Sequence, residues 1–227
     1  MGKSNIHIID IPLEELENME EMFFRQIQME RRRVMKKFSP QYNATRHQVM
    51  SGVAAEGMFR SVKIEKRDEE NIYLEGGTLI SSRMLSELFK SSDEIIVCAM
   101  TLHGYDQLEA ESDDNLITLF LDGWGTAAAE CGHVWMKEQI RGMMEKKGRY
   151  LTSSWSPGQH NIDIKLQKEV FELLQPEEIG MELTASFMMH PKKSISSFIG
   201  IGSDENAGKI RACDFCERRE TCPSAYV

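Results

Sequence analysis

Residues 156–200 read SPGQHNIDIKLQKEVFELLQPEEIGMELTASFMMHPKKSISSFIG. Pro157-Gly158 favours a tight turn with positive φ at the glycine. Asn161 or Asp163 then caps a helix that runs to about Leu174, with Leu166, Val170, Phe171 and Leu174 on its inward face. Pro176 ends it. Residues 181–189 and 194–202 carry strand-type runs separated by His-Pro-Lys-Lys, which predicts an antiparallel hairpin. A loop, a helix and then strands joined by a short turn are the parts of an α+β protein.

The flanking sequence fits that frame. Residues 114–147 predict the longest helix, with Leu116, Phe120, Trp124, Ala127, Ala128, Cys131 and Trp135 as its apolar stripe. Gly123, Gly125 and Ala127–Ala129 leave room on it for a close neighbour, whether a packed helix or a ligand. Residues 148–162 read as a loop. Upstream, 94–102 (EIIVCAMTL) predicts a buried strand. Residues 58–65 and 71–75 predict two strands, and Ser81 or Ser82 caps a short helix carrying Met84, Leu85, Leu88 and Phe89. Residues 12–38 read as one long helix stopped by Ser39-Pro40, and 40–56 carry no clear signal. The expected architecture is α+β: a mixed or antiparallel sheet with long flanking helices, continuous over residues 1–206, followed by a cysteine-bearing tail at 207–227.

Composition limits the function classes. The 227 residues are 41% hydrophobic and 28% charged, with 36 acidic against 27 basic side chains and a net charge of -9. An acidic chain without a basic block argues against nucleic acid as a partner. No apolar run approaches the roughly 20 residues of a membrane span, and no secretory signal is visible, so a cytoplasmic location is expected. Phosphate-binding, zinc-protease and nucleophile-elbow motifs are absent, as are the radical-enzyme cysteine spacing and the corrinoid-binding histidine motif.

Three features carry chemistry. Glu138 follows Trp135 by three residues, so its carboxylate lies on or beside the apolar stripe. It needs a partner there: an ion pair with Arg141 or Lys137, or a cationic ligand. The loop Ser154-Trp155-Ser156-Pro157-Gly158-Gln159-His160 offers backbone polar groups to a ligand, or simply connects two elements. Cys213, Cys216 and Cys222 have a spacing suited to zinc or an iron–sulfur cluster, with Cys98, Cys131 or His133 as a possible fourth ligand. The alternative is three free thiols.

The order of the helix with LDGWGTAAAE, the loop SPGQ, the helix QKEVFELL and the segment IGMELTASFMMHPKKSISSFIG resembles the activation domain of cobalamin-dependent methionine synthase and its smaller stand-alone relatives. The resemblance is clearest over 115–202. It implies binding of S-adenosylmethionine and docking against cobalamin on a partner, either a corrinoid protein or a cobalamin-dependent methyltransferase. There, an electron from a donor protein coupled to methyl transfer restores methylcobalamin. It also implies that Glu138 faces the ligand's cationic end and that Ser156, Pro157 and Gly158 form the ligand loop, beside His160. Asp10 corresponds to an N-terminal aspartate of the family. Two positions depart from the pattern. Ser154 stands where the family has an arginine that holds the donor's carboxylate, and Gln159 stands where it has a tyrosine. Arg149, Lys192 or Lys193 are the cations available to compensate. Three functions follow as expectations: an accessory protein for corrinoid reactivation, a docking module that no longer binds the donor, or a small metal or iron–sulfur redox protein using the tail.

Overall fold

The run Ile95–Met100 is apolar without alternation because both faces of its strand are covered. The computed structural model describes residues 6–205 and 219–221. In chain order the elements are β1 (Ile6–Ile11), α1 (Met19–Ile27), α2 (Arg31–Lys37), α3 (Ser39–Gly52), β2 (Ala54–Arg67), β3 (Asn71–Leu74), β4 (Leu79–Ser81) and α4 (Arg83–Leu88). They continue with β5 (Ser92–His103), α5 (Tyr105–Ala110), α6 (Asn115–Glu145), β6 (Tyr150–Trp155), α7 (Gln167–Leu174), β7 (Glu182–Leu183), β8 (Met189–His190) and β9 (Ser194–Gly202).

Seven strands form one sheet in the order β4-β3-β2-β5-β9-β6, with β1 paired to β2. Every pairing is antiparallel. β5 takes residues 54–63 of β2 on one side, so β1 (opposite 55–60) and β3 (opposite 64–67) share the other edge of β2 in succession. Side-chain parity sorts the core. Ile96, Cys98, Met100 and Leu102 of β5 pack with α1, α3 and α6, whereas Ile95, Val97 and Ala99 pack with α4 and α7. The α+β architecture with an antiparallel sheet and a long flanking helix is as expected.

Asp114 caps α6, its carboxylate accepting from the backbone N–H of Leu116 and Ile117 at 2.8 and 3.1 Å. The small residues of α6 serve packing. A Cβ on Gly123 would meet Ile27 at 2.6 Å, and one on Gly125 would run into the ring of the fully buried Tyr105. Beside them Phe23 stacks on Trp124, ring centroids 4.3 Å apart, and Tyr42 tilts against the same indole.

The structure corrects four expectations. Residues 12–38 are a 3-10 turn and two short helices, because Asn18 and Gln28 adopt left-handed φ of 62° and 51°. Ser39-Pro40 begins α3 instead of ending a helix. A proline in the first turn loses no bond, since N–H groups there lack intrahelical partners anyway. The loop expected at 148–162 opens with strand β6, held to β9 across a register shift. The hairpin expected from 181–202 is not formed. Instead β7 pairs with β8 in a separate two-stranded sheet, and β9 inserts between β5 and β6.

Candidate functional site

β9 is paired unequally on its two sides. β5 runs beside Ser194–Gly202, but β6 runs only beside Phe198–Gly202. The chain leaves the sheet after Trp155 and turns through Ser156–Ile162 toward α7. The turn is closed by Gly158 N–H to Ile162 C=O at 2.8 Å and Ile162 N–H to Gln159 C=O at 2.9 Å. Gly158 has φ of 85°, and a Cβ there would also press on Ile164 at 2.8 Å, so glycine is required on both counts. The first part of β9 is thus left without β6 as a neighbour, and a cavity of about 340 Å³ opens beside it.

Three elements wall this cavity. The loop contributes Ser154, Ser156, Pro157 and Gln159; α6 contributes Glu130 and His133; α7 contributes Gln167. Met189 and residues 194–196 complete it. Ser196 and Ser197 point to opposite faces of the sheet. Ser196 Oγ donates to Gln167 Oε1 at 2.8 Å, and Ser197 Oγ lies 3.0 Å from His133 Nε2 and 3.0 Å from Cys98 Sγ. His133 is 7% exposed and burial pushes its pKa down to about 4, so the imidazole is neutral at neutral pH. Burial raises the Glu130 carboxyl.

The residues singled out in the sequence divide between two neighbouring depressions. Ser154, Ser156, Pro157 and Gln159 line the cavity. Gly158 shapes the turn behind it. His160 does not line it; its ring meets the buried Trp155 edge-on at 5.9 Å. Glu138 is exposed and held by Arg141 at 2.7 and 2.8 Å, the ion pair that was one of its two expected partners. It lines an adjoining groove of about 470 Å³ with Trp135, Cys131 and Glu130. Glu130, two helical turns before Glu138, borders both spaces.

None of the proposed compensating cations lines the cavity. Arg149 pairs with Asp93 and Glu94, Lys192 with Glu109, and Lys193 with Asp122 at 2.6 Å. No lysine or arginine is among the described residues lining it. Asp10 is exposed on β1, opposite Glu56.

Cys213, Cys216 and Cys222 lie outside the described residues. Among the described residues no group of three His, Cys, Asp or Glu side chains is arranged to hold a metal. Cys98 and Cys131 are free and buried, and burial pushes both thiols up to about 11. No helix among the described residues is long and apolar enough to cross a membrane.

Glu130, Gln167 and Ser196 escaped the sequence reading, and His133 entered it only as a metal ligand. Glu130 had a readable signal: it sits one residue before Cys131 on the apolar stripe. Gln167 and Ser196 had none, since each becomes polar lining only once β6 stops short of them.

Residues 105–211 match the family described as vitamin B12-dependent methionine synthase, activation domain, as the resemblance implied. A search of curated proteins finds no match. Among solved structures, the MetH reactivation domain bound to AdoHcy superposes with a TM-score of 0.63 at 15% identity, covering 86% of this chain and 78% of that one. At that identity the likeness speaks for the fold.

Proposed function

From the match to the activation-domain family over residues 105–211, we propose that this chain binds S-adenosylmethionine in the cavity beside β9 and serves reactivation of a corrinoid carried by a partner protein. The carrying observation is the position of that cavity. It lies inside the matched region, walled by the Ser154–Gln159 loop, with a carboxylate at its rim. Its volume of about 340 Å³ is within the range of small-ligand sites, and the solved structure of similar fold was bound to AdoHcy.

The donor, when bound, supplies an electrophilic methyl group on a sulfonium. The chain's own residues bind and orient it. Glu130 stands nearest in role to a counter-charge for the sulfonium or the ammonium group, and Glu138 faces the neighbouring groove from the same helix. The Ser154–Gln159 loop holds the ligand through backbone groups and short hydroxyls. Holding the methyl group in line with a docked acceptor is the protein's main contribution to rate. Electron supply falls to a separate donor protein.

Calorimetric titration with S-adenosylmethionine and AdoHcy tests this reading. Saturable binding of both is expected, with Glu130→Gln weakening the sulfonium ligand several-fold more than the neutral thioether. No binding of either by folded protein at millimolar concentration would overturn it.

A second reading has its own support. Among the described residues the cavity has no basic side chain for the donor's carboxylate, which fits a docking module that no longer holds the donor. A corrinoid protein captured by a chain that binds neither nucleoside would favour it.

A further inference from the structure

Two polar side chains line the cavity while almost wholly buried, and neither is spent. Gln167 is 2% exposed and His133 is 7% exposed. They come from different helices on opposite faces of the sheet, and β9 anchors both through consecutive residues: Ser196 holds Gln167 and Ser197 holds His133. In each case the anchor occupies one end of the group and leaves the other. Ser196 donates to Oε1 of Gln167, so Nε2 keeps both of its N–H groups. The thiol of Cys98 has the Ser197 carbonyl as acceptor at 3.6 Å, and its sulfur can accept from the Ser197 hydroxyl at 3.0 Å. Ser197 Oγ is then free to accept from His133 Nε2–H. A neutral imidazole bonded in that way presents Nδ1 as an acceptor.

An amide and an imidazole held at one end in a nearly buried site favour a ligand that bonds the other end. Each side chain lines the cavity and is held at one end by β9, which is the arrangement of a recognition site. The offered pattern is one donor and one acceptor either side of a strand edge. A planar heterocycle carrying an exocyclic amine and a ring-nitrogen acceptor complements it, and adenine is such a heterocycle.

We propose that His133 and Gln167 are the base-reading residues of this cavity: His133 Nδ1 accepts from the exocyclic amine of adenine, and Gln167 Nε2 donates to N7 on the same edge of the base. The assignment rests on the donor-site reading above and adds specificity to it. Ser197 and Cys98 act behind His133 as positioning residues, setting its tautomer.

The test compares AdoHcy with its 6-oxo analogue, S-inosylhomocysteine, by calorimetric titration on the full chain. The analogue replaces the exocyclic amine with a carbonyl oxygen, which would face His133 Nδ1 acceptor to acceptor. The wild-type protein is expected to favour the adenosyl ligand by about tenfold or more. His133→Phe is expected to bring that ratio to about one. Gln167→Met, of similar length, is expected to weaken both ligands several-fold with the ratio preserved, because N7, the ring nitrogen it meets, is an unprotonated acceptor in both bases. Equal wild-type affinity for the two nucleosides overturns the proposal while leaving the donor site standing. So does a His133→Phe protein, folded by thermal melting, that keeps the wild-type ratio. Binding of neither nucleoside by wild-type protein overturns the proposal together with the donor site. The wild-type comparison needs no variant, so a His133→Phe chain that fails to fold does not remove the test.

Discussion

Ser154→Arg is the sharpest perturbation of the cavity. Ser154 is the residue before the last of β6, paired with Ile199, and its half-buried side chain opens onto the cavity. An arginine there can donate two hydrogen bonds to the carboxylate of a bound S-adenosylmethionine. Hydrogen bonds to a charged group contribute about 1.5–3 kcal/mol. Against this stand the roughly 1.5–2 kcal/mol of side-chain entropy lost on ordering an arginine and a competing surface pair with Glu130, worth about 1 kcal/mol at most. For two bonds these opposing contributions leave a net gain centred on about 2 kcal/mol, or roughly thirty-fold in affinity. Calorimetry with S-adenosylmethionine reads it, and the decarboxylated analogue is the control because it lacks the group the arginine would hold. An equal gain for both ligands would show non-specific charge or packing at work. No gain for either would mean that the carboxylate does not lie near residue 154, and the orientation of the ligand in the cavity would have to be reversed.

Four further outcomes follow from the same structure. Gly125→Leu forces a side chain into the buried ring of Tyr105, so thermal or urea unfolding is expected to show a loss of about 1–3 kcal/mol. Trp124→Ala empties the stack on Phe23 and is expected to cost about 3–5 kcal/mol in the same assay. Glu138→Ala removes an exposed ion pair with Arg141 and is expected to change stability by less than about 1 kcal/mol. Between pH 6.5 and about 4 the unfolded chain takes up a proton at residue 133 that the folded chain refuses. Stability from this residue is therefore complete above pH 6.5, falls as pH drops through that window by up to about 3 kcal/mol, and levels off below it. Glu130, raised by burial, works in the opposite direction. Urea unfolding at several pH values is expected to be less steep in pH for His133→Asn than for wild type.

Some of this molecule was readable in its residues because local signals and tertiary demands agreed. The middle of β5, Ile95–Met100, is apolar without a break because it is covered on both faces. Ser82 caps α4 by accepting from the Leu85 N–H at 3.2 Å, and Asp163 caps the turn before α7. Other parts depended on partners distant in sequence. The helical spacing of apolar residues persists from 12 to 38 even though the chain adopts left-handed φ at Asn18 and Gln28; Asn18 tolerates that region and was the one local signal, whereas Gln28 gave none. β6 carries Thr152, Ser153 and Ser154 and lacks strand alternation; its pairing is secured by Thr152 Oγ1 accepting from Gly200 N–H at 2.9 Å. The hairpin predicted at 181–202 failed because β9 finds its neighbours in β5 and β6, roughly 100 and 50 residues upstream. The turn after β6 was legible through Pro157-Gly158. The polar pair His133 and Gln167 was not, because only the shortfall of β6 beside β9 brings them to a common space.

The placement of β5 bears on what can be inherited or expressed as a unit. The stretch that matches the family model begins at residue 105, two residues after β5 ends. Yet β9, at the heart of that stretch, depends on β5 along its whole length for backbone pairing. A fragment cut at residue 105 would carry the loop, α6 and α7 but expose one full edge of β9, a template for indiscriminate strand addition. Such a fragment is expected to aggregate, whatever residues it keeps for recognition. The stretch matched by the family is therefore not expected to stand alone: the half that precedes it provides the strand on which it is assembled.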